Sequence, residues 1–192
     1  MTRIAVVDPQ PAIRAGLAVL LRGEPGLVPV GAAAGASDAP DLLARERPDI
    51  VLLEPSLLDG DGIALCRRLT AEPGAPRIIL YTARPGEEVE LLARVAGASG
   101  LIDKAAAPDE LFESIRRVAR GDTALPPLTR AQLETAAHRV DPDDLAVLAM
   151  LMDGTTAKDV AATLQLDDRR SLRRIERVIG HLRRPTAPRA AA

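Results

Sequence analysis

The chain has 192 residues, 47% of them hydrophobic and 27% charged, with a formal net charge of −2. Such a composition describes a globular chain, long enough for one domain of ordinary size and a small one, and by itself points to neither nucleic acid nor membrane. A single cysteine, Cys66, excludes an internal disulfide framework and a Cys-rich zinc site, and the early apolar run "IAVV" is too short for a signal peptide or a spanning helix, so a cytoplasmic chain is expected.

Aromatic residues are reduced to Tyr81 and Phe112, so cores must be built from Ala, Val, Leu and Ile, and no base-stacking platform is expected. Charge is uneven: acids outnumber bases up to residue 121, and bases outnumber acids from Lys158 onward. The two ends of the chain therefore read as having different partners.

In chain order, apolar runs at 3–7, 27–32, 49–53, 77–81 and 100–102 alternate with amphipathic stretches. Three of the runs are continuously apolar, as parallel strands covered on both faces should be. In the first intervening stretch, Ile13, Leu17, Leu20 and Leu21 share one helical face. The last helix of this part begins at Pro108, with Asp109 and Glu110 in its first turn, where the helix dipole favours acids. Five such units over residues 1–121 predict an α/β domain: a flavodoxin-like, doubly wound parallel five-stranded sheet of order 2-1-3-4-5.

Residues 122–140 read as a linker. Pro126 and Pro127 are expected to break the preceding helix, and 128–138 to form a short one. Residues 141–184 read as a small all-α domain. Asp141 is a candidate N-cap with Pro142 at the first helical position, and Gly154 is placed to stop that helix. Thr156 and Asp159 make an approximate capping box for a helix ending near Leu164, and Asp167 caps a last helix over 168–183. Three short helices with a tight turn between the last two describe a helix-turn-helix. Residues 185–192 read as a disordered tail. His138 and His181 each stand alone and read as surface histidines.

The last helix carries two faces. Leu172, Ile175, Val178, Ile179 and Leu182 cluster on one, and Arg170, Arg173, Arg174, Arg177 and Arg184 almost opposite, with Glu176 interrupting. A solvated face usually mixes signs. A stripe of one sign suits a duplex, because guanidinium pairs with phosphate and reads guanine edges.

In open parallel sheets, function sits beyond the carboxyl ends of the strands. Asp8, Glu54, Thr82 and Lys104 fall there. With "VVDPQPAIRAGLAVLL", "DIVLLEPSLLDGDG" and "AGASGLIDKAAAPDELFESIRRVARG", they make the chain resemble the NarL/FixJ group of bacterial response regulators, a receiver domain followed by a LuxR-type helix-turn-helix. The resemblance implies a phosphorylation pocket in which two adjacent acids hold Mg²⁺ and an Asp accepts phosphate from a sensor kinase. Here Pro9 replaces the second acid, Glu54 stands at the phosphoacceptor, and Leu101 replaces the family's switch aromatic, so the pocket is expected to be degenerate. A hard cation needs several oxygens, and without it phosphoryl charge is not neutralised.

Two readings of Glu54 follow. One methylene longer than Asp, it either reaches the phosphoryl position and is held by Thr82 and Lys104 as phosphate would be, or merely neutralises Lys104. In the second domain the resemblance implies DNA contacts at Lys158 and in the recognition segment "RRSLRR", with Arg169, Arg170, Arg173, Arg174 and Arg177 as candidates. That segment departs from the family's pattern, with Leu172 at a usual lysine position.

The expected function is a phosphorylation-independent transcriptional regulator that binds double-stranded DNA as a homodimer. A small-molecule or protein effector is a further candidate partner. The alternative is an interaction or ligand-binding module that has lost specific DNA binding. No nucleophile–base pair, cofactor motif or metal-ligand cluster stands out, so no enzymatic activity, cofactor or membrane partner is expected.

Overall fold

A computed structural model describes residues 1–72 and 74–183; Arg184 and the expected tail at 185–192 lie outside the described residues. The first part alternates strictly: β1 (Thr2–Val7), α1 (Pro11–Gly23), β2 (Leu27–Ala33), α2 (Ala39–Glu46), β3 (Ile50–Leu53), α3 (Gly62–Thr70), β4 (Arg77–Thr82), α4 (Glu87–Val95), β5 (Gly100–Asp103) and α5 (Pro108–Ala119). The strands pair in parallel in the order 2-1-3-4-5. β1, β3 and β4 are in register, with Val7 opposite Leu53 and Leu53 opposite Leu80, so three neighbouring strands end at nearly the same level.

Alternate strand residues feed two apolar layers. Ile4, Val6, Ile50, Leu52, Ile79 and Tyr81 pack with α1 and α5. Ala5, Val7, Val51, Leu53, Ile78 and Leu80 face the opposite layer, which contains Leu91, Leu92 and Val95 of α4. Burial on both sides explains why these strands are continuously apolar.

The connection to the second part differs from expectation in one respect. α5 stops at Ala119, before the prolines. Gly121 takes a positive φ of 102°, and the Gly121 and Asp122 amides bond back to Val118 and Arg117 carbonyls, so a glycine C-terminal motif ends the helix. The chain then runs along β5, where Ala124 exchanges backbone bonds with Ser99 and Leu101 and covers the sheet edge.

α6 (Arg130–Arg139) starts with a full capping box between Thr129 and Gln132. A single 3₁₀ turn, Pro142–Asp144, precedes α7 (Leu145–Met152), because the Asp144 amide bonds to Asp141 carbonyl three residues back while the Asp141 side chain accepts from the Asp143 amide. α8 (Ala157–Thr163) and α9 (Asp168–Leu182) follow, capped by Thr156 and Asp167. Val147, Leu148, Leu151, Val160, Ile175, Val178 and Leu182 form the centre of the helical part.

The two parts share one apolar layer, since α4 packs on both α7 and α9. Ion pairs frame that seam. Arg67 of α3 meets Glu176 of α9 at 2.8 Å, and Arg183, just beyond α9, pairs with Asp61, the N-cap of α3.

Candidate functional site

The common ending of the strands decides which side chains meet. Asp8 follows β1, Glu54 follows β3, Thr82 closes β4 and Lys104 follows β5. Asp8, Glu54 and Thr82 are buried, and the Lys104 side chain is only 7% exposed. The Lys104 ammonium lies 2.5 Å from Asp8 Oδ2 and 2.7 Å from Glu54 Oε2, as a close charge contact with both. It also lies 5.9 Å from the centre of the Tyr81 ring.

Glu54 Oε1 accepts from the Thr82 hydroxyl at 3.2 Å and from the Ser56 amide at 3.0 Å. Asp8 Oδ1 accepts from the Gln10 amide at 2.8 Å. Every carboxylate oxygen in this pocket therefore has a positive or donating neighbour inside the chain.

Burial alone pulls the Lys104 ammonium down, but the Asp8 and Glu54 carboxylates outweigh it and hold its pKa above the ordinary lysine value. Proline at position 9 adds no side-chain oxygen. Lys104 already sits between the two carboxylates that would have to hold a divalent cation. The residues present therefore do not fit the magnesium site of a phosphorylation pocket.

The floor of the pocket is tight. A Cβ on Gly62 would lie 2.3 Å from the Glu54 carbonyl oxygen and 2.7 Å from Pro55 Cα, so only glycine lets α3 start against the Glu54 loop. Leu101, at the position of the resemblance's aromatic switch, is buried in the layer shared with α4.

The helical part holds the second candidate site, and here the structure separates residues that share a face on the helical wheel. Arg173 and Arg169 are exposed and have no ion pair among the described residues, and Lys158 is exposed on α8. Arg170 pairs only loosely with Asp167, at 3.4 Å, with both exposed. Arg174 and Arg177 are different: both bond to Asp144, whose side chain is wholly buried. Arg174 Nε reaches Oδ1 at 2.7 Å, and Arg177 reaches both oxygens at 2.9 and 3.0 Å.

Of the arginines named as candidates for a duplex, these two are also tied to the inside of their own domain, because a buried carboxylate demands compensation. Asp144 was missed in the sequence. It stands in the acidic run Asp141–Asp144 just before the apolar stretch of α7, and nothing local told it apart from the exposed Asp143. Glu176 looked like a lone interruption of the stripe and is instead the partner of Arg67. Among the described residues the histidines bond to backbone: His138 to the Glu134 carbonyl and His181 to the Asp141 amide.

Compared with known proteins, residues 4–116 match the response regulator receiver domain. The DNA-binding transcriptional activator DevR/DosR of Mycobacterium tuberculosis is 30% identical over 95% of this chain and 88% of its own length. Among solved structures, a LuxR-family two-component response regulator from Aurantimonas is 35% identical with a TM-score of 0.62, covering 66% of this chain and 91% of its own. The RcsB response regulator of Salmonella typhimurium shares the fold across 97% of this chain and 95% of its own, at 17% identity and a TM-score of 0.64.

Proposed function

We propose that this chain, which belongs to the response regulator receiver family and is of the NarL/FixJ type, is a cytoplasmic transcriptional regulator that binds double-stranded DNA as a homodimer and is not switched by phosphorylation. The observation that carries the DNA half is the edge of α9. Arg169, Arg170 and Arg173 project from the second helix of a helix-turn-helix, with Lys158 on the helix before it, and the stripe Ile175, Val178 and Leu182 anchors that helix to its domain. Guanidinium groups so placed suit phosphates and the major-groove edge of guanine. A relative similar over nearly the whole chain is named a DNA-binding activator, which supports the same reading.

The pocket supports the other half. A phosphoryl group needs a free carboxylate, a divalent cation and a lysine to receive its charge. Here Lys104 already sits against both Asp8 and Glu54, and the cation has too few oxygens. Domain limits of 1–121, 122–140 and 141–184 fit this division of labour.

One observation favours the interaction-module reading: Asp144 ties down two of the arginines and leaves a shorter basic edge. Fluorescence anisotropy of the purified chain separates the two. A regulator should bind a site selected from random duplex at least ten times more tightly than a scrambled one, and equal affinity for both would favour the module.

A further inference from the structure

On the reading that phosphate is not its input, a signal to this protein has to enter elsewhere, and the seam between its two parts contains a cleft of about 520 Å³. That volume is within the ~300–1,000 Å³ of small-molecule sites. One wall comes from the receiver, with Arg67, Arg77, Arg94 and Ser99; the other comes from the turn between α7 and α8, with Asp153. Thr123 of the linker, itself exposed, also lines it. Leu125 and Met152, both partly exposed, give it apolar surface.

The cations outnumber the acids in these walls. Arg67 has a carboxylate partner in Glu176. Arg77 and Arg94 donate instead to backbone carbonyls, those of Gly121 and Pro126. Glu90 lies near enough to Arg94 to favour its charge, but its own carboxylate also accepts from Gln132 at 2.8 Å, and burial still pulls the Arg94 pKa below the usual arginine value. Arg94 is half-buried and Arg77 exposed, and both guanidinium groups carry a charge that an incoming anion would offset.

We propose that this cleft is an effector site for an organic anion with an apolar body, whose acidic group lies between Arg77 and Arg94 and whose body rests on Leu125 and Met152. Because both parts of the chain line the cleft, the ligand stabilises their docked arrangement and opposes any motion that DNA binding requires. That consequence rests on the regulator reading; occupancy of the cleft does not.

The probe is 1-anilinonaphthalene-8-sulfonate, titrated into the ¹⁵N-labelled full chain without DNA. Saturable shifts should appear at the amides of Gly97, Ser99, Thr123 and Gly154. N-phenyl-1-naphthylamine, which lacks the sulfonate, should bind at least ten-fold more weakly. Arg77→Gln and Arg94→Gln should each weaken the anion at least five-fold, and Thr123→Trp should block it while circular dichroism stays unchanged. Equal binding of the charged and neutral probes would overturn the site, as would shifts confined to the arginine edge of α9 or to the neighbouring groove at Leu133 and Leu145. In a second arm, the anion should lower DNA affinity of the wild type and leave that of Thr123→Trp unchanged. Binding in the cleft with unchanged DNA affinity would overturn the regulatory consequence alone.

Discussion

Arg174 Nε donates to the buried carboxylate of Asp144 at 2.7 Å, so one residue of the recognition segment serves the inside of its own domain. Arg177 holds the same carboxylate from the other side and remains 57% exposed, whereas Arg174 is 22% exposed. Arg177 can therefore still touch a phosphate, while Arg174 acts mainly as a clamp on the start of α7.

Asp144→Asn should lower the melting temperature. Both arginines can hydrate once released, so the cost is less than that of breaking a fully buried pair, about 1–3 kcal/mol. At roughly 2–4 °C per kcal/mol for a chain of this size, the shift is readable in a thermal scan. The effect depends on pH. Chiefly the Arg177 bond, with Arg174 adding to it and burial opposing, lowers the Asp144 pKa below 3.8. Its stabilisation is therefore complete above the unfolded value near 3.8 and is lost as pH falls through the lower folded value. The gap between wild type and Asp144→Asn should be constant from pH 7 to 5 and shrink below pH 4.

In the receiver pocket, Lys104→Ala should destabilise more than Glu54→Ala. Loss of Glu54 leaves Lys104 paired with Asp8, whereas loss of Lys104 leaves two buried carboxylates facing each other. Removing the ammonium also vacates the place between them. Millimolar Mg²⁺ should then raise the melting temperature of Lys104→Ala and leave wild type unchanged. The double variant should lose less than the sum of the single losses, and strict additivity would show that the two groups do not interact.

Acetyl phosphate with Mg²⁺ should leave the mass, oligomeric state and DNA affinity of the wild type unchanged. Glu54→Asp should not take up phosphate either, because the missing acid at position 9 stays missing. A gain of one phosphoryl group in intact-mass spectra of either protein would refute this.

On DNA, Arg173→Ala should reduce preference at one base position by about 1–3 kcal/mol if it reads guanine. Lys158→Ala should weaken all sequences alike and shallow the salt dependence by about 0.9 in log–log slope per subunit. Arg174→Ala should instead show its larger effect in thermal stability, which a salt series and a melting curve together distinguish.

The Arg67–Glu176 pair and the Arg183–Asp61 pair hold one edge of α9 to the receiver. Asp61 also caps α3, so Arg67→Ala is the cleaner probe. If duplex entry needs that edge released, Arg67→Ala should raise DNA affinity several-fold in anisotropy; unchanged affinity would show that α9 meets DNA without leaving the receiver.

Periodicity and caps carried the alternation of strands and helices and the helix-turn-helix, because continuously apolar runs such as Ile50–Leu53 and capped stretches such as Thr156–Asp159 obey local rules, while the strand order came from the fold class that such alternation implies. The same rules located Asp8, Glu54, Thr82 and Lys104, since strand ends are visible as the points where apolar runs stop. What they could not supply is pairing across the chain. Lys104 chooses two carboxylates because the register of β1, β3 and β4 delivers both within 2.7 Å, and Asp144 takes Arg174 and Arg177 because α9 lies over the start of α7. A helical wheel ranks arginines by angle and is blind to a buried acid 30 residues away. The sequence by itself determined which elements form and where polar groups interrupt them; only the tertiary structure decided which of those charges are neutralised inside, because burial is a property of packed neighbours and not of a residue's place in the chain.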